Sequence, residues 1–390
     1  MTSPSLPLRG ITWNHARGFL PMVATAQRFA ELNPGVQIAW EKRSLRAFED
    51  YPVERLTADY DLIVLDHPSV GQGAHLRALL PLDEHLGAEF LEQQAAGAVG
   101  ASHASYAYDG HQWALAIDAS TPVAFWRDDM MAALGLSPPG TWEDMLALAR
   151  RGCVEVPATP INCLMNLYSL CLAQGETPFA GNGDVASPEA GRSALAHLRE
   201  LLSLCDPGCW TRNPIASHDL VASAANTRLC YCPLAYGYSN YARAGFADRR
   251  LSFGEPPQFR GKMLRTTLGG AGIGLSAVRP HRREALAYAQ FVASPAVQRT
   301  LYTHSGGQPA SRQAWLDPEN NRLTGEFFAR TLPAVDRAYL RPRHSGSLVF
   351  QHRAGPVVQA ALRGQLGDAE ALRQVGALYR ETVSQASPCV

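Results

Sequence analysis

Residues 61–66, Asp-Leu-Ile-Val-Leu-Asp, carry the clearest indication of the fold. Their unbroken apolar run predicts a strand that is buried on both faces. The chain before them predicts a short strand at 8–12, a helix at 20–32, a strand at 36–41 and a helix at 45–58. Strands that alternate with helices in this way indicate a parallel α/β sheet.

Ligands of such sheets bind beyond the carboxyl ends of the strands. Two segments have that position, residues 13–18 after the first strand and residues 66–68 after the third. A Trp ring can floor a cleft there, polar side chains can donate hydrogen bonds, and a carboxylate can accept hydroxyl hydrogens or hold an arginine. The alternative for the first segment is a surface loop with a buried Trp. The alternative for the carboxylate is a helix N-cap. The predicted ligand-binding residues are Trp13, Asn14, His15, Arg17, Asp66 and His67.

Residues 228–243, Arg-Leu-Cys-Tyr-Cys-Pro-Leu-Ala-Tyr-Gly-Tyr-Ser-Asn-Tyr-Ala-Arg, predict a strand at 229–234 and then a tyrosine-rich loop. Tyrosines offer flat apolar faces with a polar tip, which suits stacking against a small polar molecule. We therefore predict that Tyr236, Tyr238 and Tyr241 contact a ligand. The alternative is that their rings pack in the core.

Residues 113–126 predict two extended segments joined around 118–121, where the chain passes between two lobes. Asp118 and Thr121 are predicted to contact ligand, or else to satisfy hinge backbone. The chain returns in a strand at 266–276, and Gly269 and Gly270 at its start let backbone amides approach a ligand or permit hinge dihedrals. Arg341 lies in a later loop, where it can clamp an anion or remain exposed.

The composition restricts the function classes. A chain of 390 residues exceeds the roughly 250–300 at which single cores stop growing, so two lobes are expected. Lysine plus arginine equals aspartate plus glutamate, 35 of each, which argues against nucleic acid as a partner. No apolar run reaches the length of a membrane span, and residues 1–10 do not read as a secretory signal.

Eight cysteines leave the redox compartment open. A Cys205–Cys209 bridge is one alternative, whereas Cys230 and Cys232 point the same way on a strand and are poorly placed to bond each other. The spacings differ from the usual zinc pattern, so we predict no metal and no cofactor. Buried free thiols are expected instead.

Several phrases in sequential order resemble one family. They are LNPGVQIAWEKRS at 32–44, YDLIVLDHPSV at 60–70, PLDEHL at 81–86, the crossing segment at 113–150 and LGGAGIGLSA at 268–277. With the helix and turn at 287–315, they resemble the extracellular solute-binding proteins of sugar-type ABC transporters, which have the type II periplasmic-binding fold.

The resemblance implies a two-lobed α/β fold, in which each lobe is a mostly parallel sheet flanked by helices, with hinge crossovers and a helical C-terminal region. Lobe 1 is expected at 1–118 and 271–315, lobe 2 at 119–270 and 316–390, with the ligand cleft between them. The implied function is capture of a small polar solute by hinge closure and delivery to ABC permease subunits, by a monomer without catalytic residues. The implied location is the periplasm, with the cytoplasm as the alternative.

Alternatives remain at this point. The solute is a sugar, a polyol or a carboxylated compound, since His15 and the arginines add charge. A thiaminase-like enzyme of the same fold uses a cysteine nucleophile, for which Cys153, Cys163 and Cys232 are candidates if their pKa is depressed. A cytoplasmic small-molecule-binding protein is the third possibility.

Overall fold

A computed structural model describes residues 6–50 and 52–386. Met1–Ser5, half of the stretch 1–10 on which the prediction about a secretory signal rests, and Cys389 lie outside these residues. The described chain forms two compact units. Unit 1 comprises Met1–Ser120, Leu268–Arg322 and Leu340–Leu348, and unit 2 comprises Thr121–Thr267, Leu323–Tyr339 and Val349–Val390.

The elements in chain order begin with those of the first pass through unit 1. They are β1 (Leu6–Trp13), α1 (Ala16–Leu32), β2 (Val36–Arg43), α2 (Leu45–Asp50), α3 (Val53–Asp59), β3 (Leu62–Leu65), α4 (Val70–His75), α5 (Ala88–Ala96), β4 (Ala107–Tyr108), β5 (His111–Gln112) and β6 (Leu115–Ser120). Unit 2 follows with β7 (Pro122–Trp126), α6 (Asp128–Ala133), α7 (Trp142–Arg150), α8 (Pro160–Ala173), α9 (Pro188–Ser203), α10 (Pro214–Ala222), β8 (Tyr231–Tyr236) and β9 (Ser252–Gly254).

The remaining elements complete both units. They are β10 (Gly269–Leu275), α11 (Arg282–Ala293), α12 (Pro295–Val297), a π-helical turn (Gln298–Tyr302), α13 (Arg312–Leu316), α14 (Pro318–Leu323), α15 (Phe327–Asp336), α16 (Ser347–Leu362) and α17 (Asp368–Ala386). Among the described residues, no helix is both long enough and apolar enough to cross a membrane.

Unit 1 is built on a five-stranded sheet with strand order β2-β1-β3-β10-β6. Strand β3, predicted from its apolar run, is central and fully buried. Strands β1, β2 and β3 are parallel, whereas β10 runs antiparallel to both β3 and β6. The carboxyl ends of β1, β3 and β6 therefore share one edge of the sheet with the start of β10, and we call this the unit 1 edge.

Unit 2 has a three-stranded sheet, β8-β7-β9, in which both pairings are antiparallel. The expectation of a mostly parallel sheet in each lobe is therefore wrong for this unit. Strands β7 and β8 are almost continuously buried. Burial on both faces gives antiparallel strands the unbroken apolar pattern that is typical of parallel ones, so the pattern alone misleads about strand direction.

Several predicted bounds also differ from the structure. Helix α1 begins at Ala16, four residues before the predicted start, because His15 caps it with its own ring nitrogen. The helix predicted at 45–58 is two helices, with Pro52 at the N-cap of the second. Strand β8 begins and ends two residues later than predicted, so Tyr236 lies on the strand.

The units also differ in extent from the expected lobes. The chain passes between units at 120/121, 267/268 and 322/323, and residues 340–348 return to unit 1 although they were expected in lobe 2. Each unit has its own apolar core. In unit 1 helices α1 and α11 pack on the sheet, and in unit 2 helices α7, α8 and α9 form most of the core.

Candidate functional site

The unit 1 edge brings together predicted residues that are far apart in sequence. Arg17 lies in the first turn of α1, directly after β1. Asp66 and His67 follow β3, Asp118 lies near the end of β6, and Gly269 and Gly270 begin β10. Because three strands end where the fourth begins, these groups lie along one edge of the same sheet.

The first ionic pair of this edge joins Arg17 and Asp118. The Arg17 Nε donates to Asp118 Oδ2 at 2.8 Å, and a second guanidinium nitrogen donates to Oδ1. Both side chains are buried. Burial raises the pKa of Asp118 despite the nearby Arg17 guanidinium. The charge of Arg17 is therefore engaged by a carboxylate of its own unit.

The second pair joins Arg341 and Asp66, which are 275 positions apart in sequence. One guanidinium nitrogen donates to both carboxylate oxygens, at 2.8 and 2.7 Å, and the Arg341 Nε donates to the Leu268 carbonyl at 3.1 Å. Burial acts to raise the pKa of Asp66, but Arg341 and His67 together hold it well below its usual range. Asp66 is consequently an ionised, paired carboxylate, which also caps the turn after β3 by accepting from the His67 amide at 2.8 Å.

His67 is completely buried beside this pair. Its Nδ1 lies 3.1 Å from Asp66 Oδ1, and its ring packs edge-to-face on Tyr106. Burial and the Arg341 charge lower the pKa of His67 to about 4, so the ring is neutral at pH 7. Among the described residues, the Nε2 atom has no hydrogen-bond partner. A neutral imidazole with an unpaired nitrogen can donate to or accept from a hydroxyl group.

The segment at the end of β1 contributes a buried ring to the core of unit 1. Trp13 is only 4% exposed, and its ring packs on Phe48 at a centroid distance of 5.1 Å and against Gly18. Asn14 is exposed. His15 Nδ1 accepts from the Arg17 amide at 3.0 Å, and burial followed by the Arg17 charge lowers the pKa of His15 to about 3. Trp13 thus fits the alternative interpretation of this segment, a surface loop with a buried Trp ring.

Gly270, the second of the two glycines at the start of β10, is required by its backbone conformation and by close packing. Gly270 has φ +112°, and a Cβ built on it would lie 2.3 Å from the Asp118 carbonyl oxygen. Only glycine tolerates that backbone conformation without strain. Gly269 pairs with Ser120, the last residue of unit 1 before the chain enters unit 2.

Thr121, the first residue of unit 2, forms hydrogen bonds with backbone and side-chain groups of that unit. Its hydroxyl lies 2.7 Å from the Thr266 hydroxyl and donates to the Thr267 carbonyl at 3.0 Å. Tyr236 reaches the same segment, with its hydroxyl 2.9 Å from the Thr267 hydroxyl. These bonds tie the first entry of the chain into unit 2, at 120/121, to its first exit, at 267/268.

The tyrosines beyond β8 pack inside unit 2. Tyr238 and Tyr241 are 5% and 2% exposed, and both rings contact His218, which stacks on Tyr241 at 4.8 Å. The Tyr241 hydroxyl donates to Asp219 at 2.6 Å, and burial followed by that carboxylate raises the pKa of Tyr241 well above its usual value. Tyr236 is less buried than either. The sequence does not identify His218 as the centre of this cluster, because it lies on a helix distant from the tyrosines in sequence.

Sequence reasoning missed Tyr106, and for Arg343 it predicted an anion clamp or an exposed side chain, as for Arg341. Tyr106 donates to the Leu65 carbonyl at 3.3 Å and packs on His67, yet it follows a short turn with no recognisable pattern. Arg343 donates to the carbonyls of Ala104 and Ala107 at 2.6 and 2.7 Å and so holds residues 340–348 on unit 1. The spacing of Arg341 and Arg343 around a proline is the one signal that marks this segment.

The seven cysteines within residues 6–50 and 52–386 are free thiols. Burial raises the pKa of Cys163 and Cys232 above that of an ordinary thiol, and it raises the pKa of Cys171 and Cys209 to about 12. A nucleophilic cysteine requires the opposite shift.

Comparison with known proteins gives a family and a fold. The sequence model of the bacterial extracellular solute-binding protein family matches residues 24–324. No curated protein sequence matches the chain. Among solved structures, a maltose-bound protein from T. maritima has a TM-score of 0.81 and 16% identity, covering 96% of this chain and 99% of its own.

Two further structures are similar over equally long stretches. A solute-binding protein from Agrobacterium radiobacter in complex with ribitol has a TM-score of 0.80 and 16% identity, covering 98% of this chain and 99% of its own. One from Thermotoga lettingae bound with α-D-tagatose has a TM-score of 0.81 and 18% identity, covering 98% of this chain and 100% of its own. These likenesses confirm the predicted two-lobed α/β fold.

Proposed function

The chain belongs to the family of bacterial extracellular solute-binding proteins, and on that premise we propose that it captures a neutral sugar or polyol for an ABC permease. The unit 1 edge carries this proposal because its charges are balanced internally. Each of its two buried arginines is paired with a carboxylate, Arg17 with the buried Asp118 and Arg341 with Asp66, which is 16% exposed. Similar folds bind maltose, ribitol and α-D-tagatose, which are uncharged polyhydroxylated compounds.

The charge balance separates neutral from anionic solutes. An anion needs unpaired cationic groups or backbone amides, and pulling either arginine from its carboxylate leaves a buried charge alone. A hydroxyl group needs only a donor or acceptor. The neutral His67 ring supplies one, and the partly exposed Asp66 carboxylate can accept another.

Binding without chemical conversion fits the same residues. Two of the three cysteine candidates, Cys163 and Cys232, have raised pKa values and therefore hold a proton at pH 7. His67 is neutral but adjoins a paired carboxylate whose lowered pKa makes it a poor base. We accordingly propose a binding protein that leaves its solute unaltered.

Thermal-shift screening tests the proposal, because any ligand that binds the folded state raises the melting temperature. Ribitol, tagatose, maltose and their carboxylated counterparts form the panel. We expect stabilisation by neutral members and none by the matched acids. Stabilisation by the acids alone, or recovery of a chemically altered compound, overturns the proposal.

Substitution then localises the site to the unit 1 edge. His67→Gln keeps polar groups at the position but moves them, and we expect it to lower affinity by about 5–30-fold, as for one lost hydrogen bond in a buried site. His85→Gln is the matched control, since His85 is exposed. Equal affinities of the two variants in titration calorimetry place the solute elsewhere.

The remaining features of the proposal are the partner, location and assembly state. We propose a monomer that acts outside the cytoplasm, as the family is extracellular, and that delivers its solute to the permease. Light scattering should give 42.3 kDa for the full chain. Solute-dependent stimulation of the ATPase of a reconstituted permease is the direct measurement of delivery.

A further inference from the structure

Cys153 and Cys230 come together where the loop after α7 meets the residue before β8 in unit 2. A parallel bridge pairs Val154 with Tyr231. In it the Tyr231 amide donates to the Cys153 carbonyl at 3.3 Å, and the Glu155 amide donates to the Tyr231 carbonyl at 2.9 Å. The bridge therefore places Cys153 opposite Cys230, whose amide also donates to the Cys153 carbonyl at 2.9 Å.

This register is suited to a covalent bond. Neighbouring strands lie about 4.8 Å apart, which is inside the roughly 4.4–6.8 Å between Cα atoms that a disulfide spans. Opposite residues of a parallel pair project to the same face. The thiols are close enough for Cys153, after burial, to be among the groups that raise the pKa of Cys230 to about 12.

We propose that Cys153 and Cys230 form a disulfide when the protein is in an oxidising compartment, so that this position of unit 2 is a modification site. The proposal takes the extracellular location from the proposed function, but it does not depend on which solute is bound. Disulfides persist in such compartments and are rare where thiols are kept reduced.

The step is thiol–disulfide exchange with an oxidant that is itself a disulfide, such as oxidised glutathione. Cys153, at 7% exposure, loses its proton and attacks the oxidant, whose sulfur–sulfur bond breaks to release one thiol. Cys230 then loses its proton and attacks the mixed disulfide, releasing the second thiol. Two protein thiols are oxidised, one disulfide is reduced, and the two protons pass to the released thiolates.

The other close cysteines lack this register. Cys205 precedes the 3-10 turn Pro207–Thr211 and Cys209 lies within it, and among the described residues no strand pairing aligns the two. Cys232 lies in β8, two residues after Cys230, and faces the same side, so it cannot replace Cys230 without moving the register.

Peptide mapping of the full chain tests the proposal. The protein is refolded in a glutathione redox buffer, alkylated and digested with trypsin, which separates residues 152–192 from residues 229–243. We expect these two peptides to be linked and to separate on reduction. Fully alkylated peptides, or a Cys205–Cys209 bond in their place, overturn the proposal.

Matched variants identify the atoms within these peptides. Cys153→Ser should abolish the link, whereas Cys171→Ser, in the same peptide, and Cys232→Ser, beside Cys230, should retain it. A link that survives Cys153→Ser contradicts the proposal. If one variant folds poorly, the peptide map of the wild type still shows whether the link forms.

Thermal unfolding provides a second measurement. Oxidation should raise the melting temperature of the wild type by about 5–10 °C, as for a disulfide that closes a long loop, and reductant should reverse the shift. Cys153→Ser should show no redox-dependent shift of the melting temperature. Such a shift in this variant contradicts the proposal. A protein that forms the link but binds no solute fails only the proposed function, and one that binds solute without the link fails only this inference.

Discussion

The ion pair of Asp66 and Arg341 is expected to stabilise the folded chain. Arg341→Met removes two charge-assisted hydrogen bonds to the carboxylate and one to the Leu268 carbonyl, and leaves the methylene stem in place. The side chains are only 4% and 16% exposed, so water cannot replace the lost guanidinium fully. Breaking a buried ion pair by removing one partner costs about 3–5 kcal/mol of unfolding free energy.

Urea denaturation measures this loss at pH 8. Arg353→Met is the matched control, because Arg353 makes the same kind of pair with Glu381 on the surface, where both side chains are 42% exposed. That variant should lose no more than about 1 kcal/mol. The double variant with Asp66→Asn and Arg341→Met should lose less than Arg341→Met alone, because neither buried charge then remains.

The pH dependence gives an independent check. In the wild type Arg341 helps to hold the pKa of Asp66 low, so removing it lets burial raise that pKa above the unfolded value. The folded variant then binds a proton more readily than the unfolded chain, and its deficit should shrink as pH falls from 8 to 5. A loss of less than 1 kcal/mol, or a double variant as unstable as the single one, would falsify the role assigned to this pair.

Three further predictions concern both units. The pKa of His67 is about 4 when folded and 6.5 when unfolded, so the unfolded chain takes up the proton first as pH falls. Urea titrations should therefore show that wild type loses roughly 2 kcal/mol of unfolding free energy between pH 7.5 and 5, a loss that His67→Gln does not show. Gly270→Ala should cost about 2–3 kcal/mol from positive φ and the contact with the Asp118 carbonyl, whereas Gly87→Ala, which meets no atom within 4 Å, should stay near wild type in thermal melts. The radius of gyration from X-ray scattering should fall on saturation with solute if the predicted hinge closure occurs, and an unchanged value contradicts it.

Much of unit 1 follows from local sequence pattern. The apolar run at 62–65 identifies the central strand, and the segments after the strands identify the edge where Arg17, Asp66 and Asp118 meet. These features are local because strand burial and the common direction of parallel strands are set by each strand and the helix that follows it. The family phrases added the second unit and the order in which the chain visits both.

The tertiary structure alone decided the chemistry of that edge. Arg17 meets Asp118 across 101 positions and Arg341 meets Asp66 across 275, so no local pattern distinguishes an arginine that binds an anion from one already paired. The same holds for Tyr241, whose ring packs on a histidine from a separate helix. The sequence determined which groups lie at the ends of strands. Long-range packing determined which of them keep a charge, a proton or an exposed face, because pairing and burial depend on neighbours that the chain brings together only on folding.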